Sequence, residues 1–231
     1  MSNPFLKAVE LILSFDKQLF DIIFLSVKVS GIALIIASVF GIPIAVFTAF
    51  KKFPLKSLFI NIMNTFMGAP PVVVGLIFYL LLSRSGIFGF LGLLYTPYAM
   101  IIAQIFLAFP IIVSLSHSAI VGVNPILKQA AITLGASPFA TAVTIVNEAR
   151  YGIISALIAA YGRLFAEVGA ILIVGGNIAG LTRVMTTAIA LETDKGEFEL
   201  AVALGIILIL ISFIINFSLN IIQKKGKKEL I

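Results

Sequence analysis

Residues 29–50 read VSGIALIIASVFGIPIAVFTAF, a run without one charged side chain. A helix needs about 20 apolar residues to cross the hydrocarbon core of a bilayer, because each residue advances it by about 1.5 Å. Inside the bilayer the backbone N–H and C=O groups must find partners within the protein, and a helix provides them by itself. The run therefore predicts a transmembrane helix and places the chain among all-α membrane proteins.

The composition of the whole chain agrees with this class. Of 231 residues, 61% are hydrophobic and 11% are charged, which is too apolar for a water-soluble domain of this size. The net charge of +6 comes largely from short clusters beside apolar runs, at residues 51–56 and 224–228, so it indicates membrane anchoring and no nucleic acid. Without cysteine, and with a single histidine, the sequence offers neither disulfides nor an obvious metal centre.

Charge-free intervals predict five transmembrane helices in total. They are placed at residues 29–50, 57–83, 98–121, 152–174 and 200–222. The glycine-containing stretch at 83–97 is too short for a crossing and is expected to be re-entrant or interfacial. An N-terminal amphipathic helix at the membrane surface is predicted for residues 1–22, a transmembrane domain for 23–223 and a basic cytoplasmic tail for 224–231.

The distribution of Lys and Arg predicts the orientation of the chain. Basic loops favour the cytoplasmic side. This places the N-terminus outside and the C-terminus in the cytoplasm, with the loops at 51–56 and 122–150 inside. The loops at 83–97 and 175–199 then lie outside.

The cytoplasmic loop at 122–150 carries signals for two short helices. Asn124 and Ser137 each precede a proline, which is the typical start of a helix, and Gly135 supplies a left-handed stop between them. A short helix that projects into the cytoplasm fits a groove on a partner protein. The alternative is an interfacial helix on the lipid headgroups, and periodicity alone leaves both open.

This loop resembles a known family. QAAITLGASPFATAVTIV, at 129–146, is similar to the EAA loop of ABC importer permeases, with Ala130 and Ala131 at the two alanines and Gly135 at the family spacing. Gln129 stands where the family has glutamate, and Asn147 and Glu148 replace its Leu-Pro. The residues that the resemblance assigns to ATPase coupling are Gln129, Ala130, Ala131, Leu134 and Gly135.

Two further stretches narrow the resemblance. GAPPVVVGLIFYLLLS at 68–83 resembles the molybdate, tungstate and sulfate branch, and residues 165–201 resemble tungstate permeases most. The resemblance implies a type I ABC importer permease core that translocates an oxyanion, with tungstate first and molybdate or sulfate as alternatives. The implied partners are a second copy in a homodimer, a cytoplasmic ABC ATPase and an extracytoplasmic oxyanion-binding protein.

The chain itself is not expected to be an enzyme. It contains no GxxxxGK[ST] phosphate loop, so ATP and Mg would bind the partner ATPase and no cofactor is expected here. A membrane-embedded enzyme is disfavoured because the predicted spans contain no cluster of catalytic residues. A secondary transporter or channel is the alternative of another class, although the internal repeats common in such folds are not evident.

Arg163 and Glu167 are charged residues within the predicted fourth span. Two charges near the bilayer centre cost roughly 5 to 7 kcal/mol on insertion scales, so both must face protein or water, and we expect them to pair. One interpretation is a structural ion pair that braces the helix. The other is that the pair lines the translocation path, where Arg163 meets a passing dianion.

The outer loop adds three candidates for the path. Asn177, Thr182 and Arg183 lie among glycines at 175, 176 and 180, whose freed backbone amides suit an anion at an outer gate. The alternative is that these glycines only turn the chain. Both interpretations are compatible with the sequence.

Overall fold

A computed structural model describes residues 4–228, with side chains from 5 to 224. Residues 1–3 of the predicted N-terminal helix, residues 229–231 of the predicted tail and the tail's side chains beyond 224 lie outside this description. Within residues 4–228 the fold is all-α, as predicted. Its helices are α1 Pro4–Leu13, α2 Lys17–Phe50, α3 Lys56–Met67, α4 Pro71–Leu82, α5 Pro97–Val121, α6 Pro125–Thr133, α7 Pro138–Glu148, α8 Arg150–Phe165, α9 Gly169–Gly175, α10 Met185–Lys195 and α11 Phe198–Lys228.

Three helices are long and apolar enough to cross a membrane unbroken. These are α2, α5 and α11, which confirms three of the predicted spans. Helix α2 has 34 residues and extends about 51 Å, well beyond a hydrocarbon core of about 30 Å. It begins at Lys17, so it starts earlier than the predicted span at 29–50.

The predicted second span is broken into two half-helices. Helices α3 and α4 meet at an angle of 101° across residues 68–70. The prolines at 70 and 71 have no N–H to donate, and the N–H of Val73 turns to the carbonyl of Pro70 at 3.0 Å. Because two successive residues lack a backbone N–H, α3 cannot continue through them. The expectation of one continuous helix over 57–83 was wrong.

The predicted fourth span is also interrupted. Helix α8 ends at Phe165 and α9 begins at Gly169, so residues 166–168 break the helix expected over 152–174. A further bend of 58° separates α7 from α8. The five-span architecture holds only if bent helices count as spans, because three unbroken helices alone meet the length requirement among the described residues.

The N-terminal helix is shorter than predicted and is packed. Helix α1 ends at Leu13, Phe15 adopts a positive φ of 54°, and the side chain of Asp16 accepts the N–H of Leu19 at 2.9 Å to start α2. Residues 17–22, which were included in the N-terminal helix, therefore belong to α2. Ala8 is fully buried, and Lys7 donates to Glu199 near the start of α11, so α1 rests on protein as well.

Helix α5 forms the centre of the bundle. In its most apolar stretch 72% of the residues are buried, against 28% in α2 and 17% in α11. The amide of Gln104 on α5 donates to Ser30 Oγ and to the carbonyl of Leu164, both at 3.2 Å, and so links α5 to α2 and α8. The low burial of α2 and α11 leaves wide apolar faces for lipid or for a second copy.

The stretch expected to be re-entrant or interfacial caps the end of α4. It contains only a 3₁₀ turn at Gly89–Leu91, and the N–H of Phe88 donates back to the carbonyl of Leu81 at 2.9 Å. Gly86 lies so close to the carbonyl of Leu80 that a Cβ there would stand 2.1 Å from it. A segment folded onto the end of α4 in this way favours the interfacial alternative.

Candidate translocation path and coupling surface

Helices α6 and α7 form the predicted cytoplasmic feature. The side chain of Asn124 accepts the N–H of Ile126 at 3.0 Å, and the hydroxyl of Ser137 accepts the N–H of Ala140 at 3.2 Å. Gly135 has a φ of +80°, the left-handed conformation expected of a helix stop. The local predictions for this loop are therefore confirmed.

The surface of α6 and α7 is apolar and open. We call this the coupling surface; it consists of Ile126, Ile132, Leu134 and Phe139, exposed by 67%, 57%, 86% and 79%. Gln129 and Ala130 are exposed beside it, while Ala131 is half-buried. Helix α6 packs mainly against α7, so it projects from the bundle. Exposed apolar side chains on a projecting helix mark a contact surface for another molecule.

A groove of about 600 Å³ runs along one side of the coupling surface. It lies between α6, α7 and the end of α2, and its rim carries the cations Lys51 and Lys128. Its walls are Phe50, Ile132 and Phe139. The groove offers an apolar side chain of a partner a place to insert.

Arg163 lies on the exposed side of α8. Its guanidinium Nη2 stands 3.5 Å from the carbonyl oxygen of Ala69, at the break between α3 and α4. That carbonyl has lost its usual helical donor, because the N–H of Val73 is bonded to Pro70. Arg163 therefore points toward the broken second span.

Glu167 points into the protein instead. It is 7% exposed, and its Oε1 accepts the N–H of Ala170 at 3.0 Å, which caps the start of α9. The hydroxyl of Thr186 donates to the carbonyl of Glu167 at 2.7 Å. The expected ion pair with Arg163 was wrong because α8 ends between the two residues, so they no longer share one helix face.

The outer-loop candidates Asn177 and Thr182 are engaged in holding the loop. The hydroxyl of Thr182 is fully buried; it donates to the carbonyl of Gly175 at 2.6 Å and accepts the N–H of Ile178 at 2.9 Å. Asn177 has a φ of 51°, and its Nδ2 donates to the carbonyl of Thr187 at 3.1 Å. These contacts are what the turn-forming alternative requires.

Arg183 is matched by an acid that sequence reasoning did not pair with it. Its Nη1 lies 3.5 Å from Oε1 of Glu192, a buried residue on α10. The same oxygen accepts a hydrogen bond from Nζ of Lys195 at 3.2 Å. Helix α10 lies within the stretch 175–199 that was predicted to be a loop. The acid therefore compensates the Arg183 charge within the outer segment.

One polar feature of the spans was missed. Helix α3 carries what we call the α3 polar stripe, whose members are all exposed: Ser57, Asn61, Asn64 and Thr65. Residues at spacings of 4, 7 and 8 share one face of a helix, so the sequence held the signal. Its side chains are uncharged, and charge-free intervals do not distinguish such residues from apolar ones.

Comparison with known proteins gives one family. The family model described as "Binding-protein-dependent transport system inner membrane component" matches residues 41–228. The chain is 42% identical to the tungstate uptake system permease protein TupB of Peptoclostridium acidaminophilum, covering 97% of this chain and 99% of that one. It is 45% identical to a "Probable anion ABC transporter permease protein" of Haloferax volcanii, covering 83% and 84% of the two chains.

The fold is found among solved transporters. A crystal structure of a bacterial alginate ABC transporter, in complex with an alginate pentasaccharide-bound periplasmic protein, superposes with a TM-score of 0.67. The match covers 91% of this chain and 80% of that one, at 19% identity. At that identity the likeness concerns the fold alone.

Proposed function

The chain belongs to the family of binding-protein-dependent transport system inner membrane components, and from this premise we propose that it carries an oxyanion, tungstate foremost, into the cell. It is an ABC transporter permease. The observation that supports tungstate as the substrate is the similarity to a tungstate uptake permease over 97% of the chain. Molybdate and sulfate are the neighbouring alternatives, since the three are tetrahedral dianions.

The energy source in this proposal is a separate ATPase. Every residue of the coupling surface lies on α6 or α7 or on the turn between them, so a partner that grips it can move α7 together with α8. Helix α8 carries Arg163 close to the break between α3 and α4. The movement of the ATPase as it closes on ATP would thus be transmitted to the spans through α7 and α8.

The proposal places two copies of the chain side by side, with α6 and α7 in the cytoplasm and the α10 segment outside. The support for a second copy is the exposed α3 polar stripe, which hydrocarbon does not solvate. An extracytoplasmic binding protein would deliver the anion to the outer face. Selection among oxyanions would reside mainly in that protein, since a tight site within the path would slow release.

The test is ATP hydrolysis by the purified complex of this chain with its ATPase. Tungstate-loaded binding protein should stimulate hydrolysis several-fold, whereas the unloaded protein should not. Half-maximal stimulation at the same concentration of sulfate as of tungstate would leave the permease assignment standing and overturn the substrate. Oxyanion uptake driven by a proton gradient without any ATPase would instead support the secondary-transporter alternative.

A further inference from the structure

We propose that the α3 polar stripe and Arg163 line the inner half of the anion path, where two copies of the chain face each other. This inference rests on the proposed function and deepens it, because it names the side chains that the oxyanion meets. The main candidates are Asn61, Asn64 and Thr65 on α3, with Arg163 on α8 at the far end of the stripe.

The stripe is open because α3 uses its other side for packing. No residue of α3 is fully buried, but Phe59 and Met63 on the opposite side are half-buried. The ring of Phe66 packs edge-on against Phe106 of α5, with 5.8 Å between the ring centroids. The polar face therefore points away from the bundle formed by this chain.

The depth of the stripe excludes lipid as its neighbour. Helix α3 begins at Lys56, beside the basic cluster at the inner end of α2, and is about 18 Å long. Its end lies beside the middle of the span α5, because the ring of Phe66 contacts that of Phe106, the tenth of the 25 residues of α5. An amide in hydrocarbon without a hydrogen-bond partner costs several kcal/mol, so the stripe must face water or another polar surface.

The amide side chains of the stripe are free to bind. Within the described part of the chain, neither Asn61 nor Asn64 has a side-chain hydrogen bond, and the hydroxyl of Thr65 bonds back to the carbonyl of Asn61 at 2.8 Å. Among the residues that the structure describes, the guanidinium of Arg163 has one distant contact, at 3.5 Å with the carbonyl oxygen of Ala69. The surface therefore offers amide donors at its centre and a cation at its end.

This chemistry suits a tetrahedral dianion that must pass and leave. Amide N–H and hydroxyl groups donate to oxyanions, and a guanidinium adds one charge without a matching acid on the stripe. The nearest acid in sequence, Glu167, is turned inward to cap α9. Two copies would present two such surfaces across the path. Several weak donors with one cation per copy attract the anion without trapping it.

The experiment uses the absence of natural cysteine in the sequence. Asn61→Cys and Asn64→Cys are each introduced, with Ile62→Cys as the matched control; Ile62 is 39% exposed on the same helix but about 100° away from Asn61 and about 160° away from Asn64. The complete transporter in native membranes is treated from the cytoplasmic side with a charged thiol reagent that does not cross the membrane. We expect each stripe cysteine to react about ten-fold faster than Cys at 62 and to be slowed by tungstate.

Two results would overturn the inference. One is reaction at 61 and 64 that is no faster than at 62, which would mean that the stripe is covered or faces lipid. The other is normal tungstate uptake by Asn61→Leu, Asn64→Leu and Arg163→Gln at normal protein levels. If the stripe cysteines react but molybdate slows them and tungstate does not, the path is upheld and the proposed substrate fails.

Discussion

The carboxylate of Glu167 accepts a hydrogen bond from the backbone N–H of Ala170 at 3.0 Å, just after α8 has ended. A buried acid in a membrane span thus accepts an N–H from the first turn of α9, although the N-cap position itself is Val168. The carbonyl of the same residue receives the hydroxyl of Thr186, so the break is held from both sides. This pair of contacts stabilises the interruption at residues 166–168 of the helix predicted to be continuous.

Removing this cap should lower stability, and keeping its oxygen should spare it. Glu167→Ala loses the acceptor for Ala170 and should cost about 1–2 kcal/mol, or about 2–8 °C in melting temperature. Glu167→Gln retains an oxygen acceptor and should lose less than half of that. Thermal unfolding in detergent measures both, with exposed Glu197→Ala as the neutral control. Equal loss in the two Glu167 variants would show that the charge matters and the cap does not.

Thr182 should be as important to the outer loop as a core residue. Thr182→Val keeps the shape but leaves the carbonyl of Gly175 and the N–H of Ile178 without their partner, at a cost of about 1–3 kcal/mol. The control is Thr144→Val on α7, whose exposed hydroxyl only bonds back to Ala140. Protease cleavage between α9 and α10 should rise in the first variant alone. Unchanged cleavage would contradict the role assigned to Thr182.

Gly135→Val should uncouple the permease from its ATPase while leaving the bundle intact. A β-branched residue at a φ of +80° is strained by about 1–2 kcal/mol, and nothing else lies within 4 Å of the added Cβ. The turn that orients Leu134 should therefore shift, and the ATPase should be lost on co-purification. Gly205→Ala on α11 also meets open space, at an ordinary helical φ, and should retain the ATPase. Equal retention by both variants would remove the coupling role of this turn.

The sequence predicted the unbroken spans well because hydropathy alone decides them. Helices α5 and α11 follow directly from charge-free intervals. The caps at Asn124 and Ser137 were predictable too, since each uses a side chain and a backbone group only a few residues apart.

The breaks were missed for a physical reason. Charge-free intervals indicate which segments can enter lipid, but they contain no information on backbone hydrogen bonds. The proline pair at 70 and 71 was therefore not recognised as the end of a helix. The role of Glu167 depends on α8 ending first, which four-residue spacing does not reveal. The α3 polar stripe was missed because Asn61 and Asn64 are uncharged, although their helical spacing with Ser57 and Thr65 was present in the sequence.

The most direct test of the account is oxyanion uptake by the complete transporter in proteoliposomes. With the binding protein outside and ATP inside, we expect tungstate to accumulate above its external concentration, and Arg163→Gln to reduce the rate about ten-fold without lowering the amount of assembled complex. ATP hydrolysis without tungstate accumulation, or accumulation that continues without ATP, would contradict the central claim that this chain is the permease of an ATP-driven oxyanion importer.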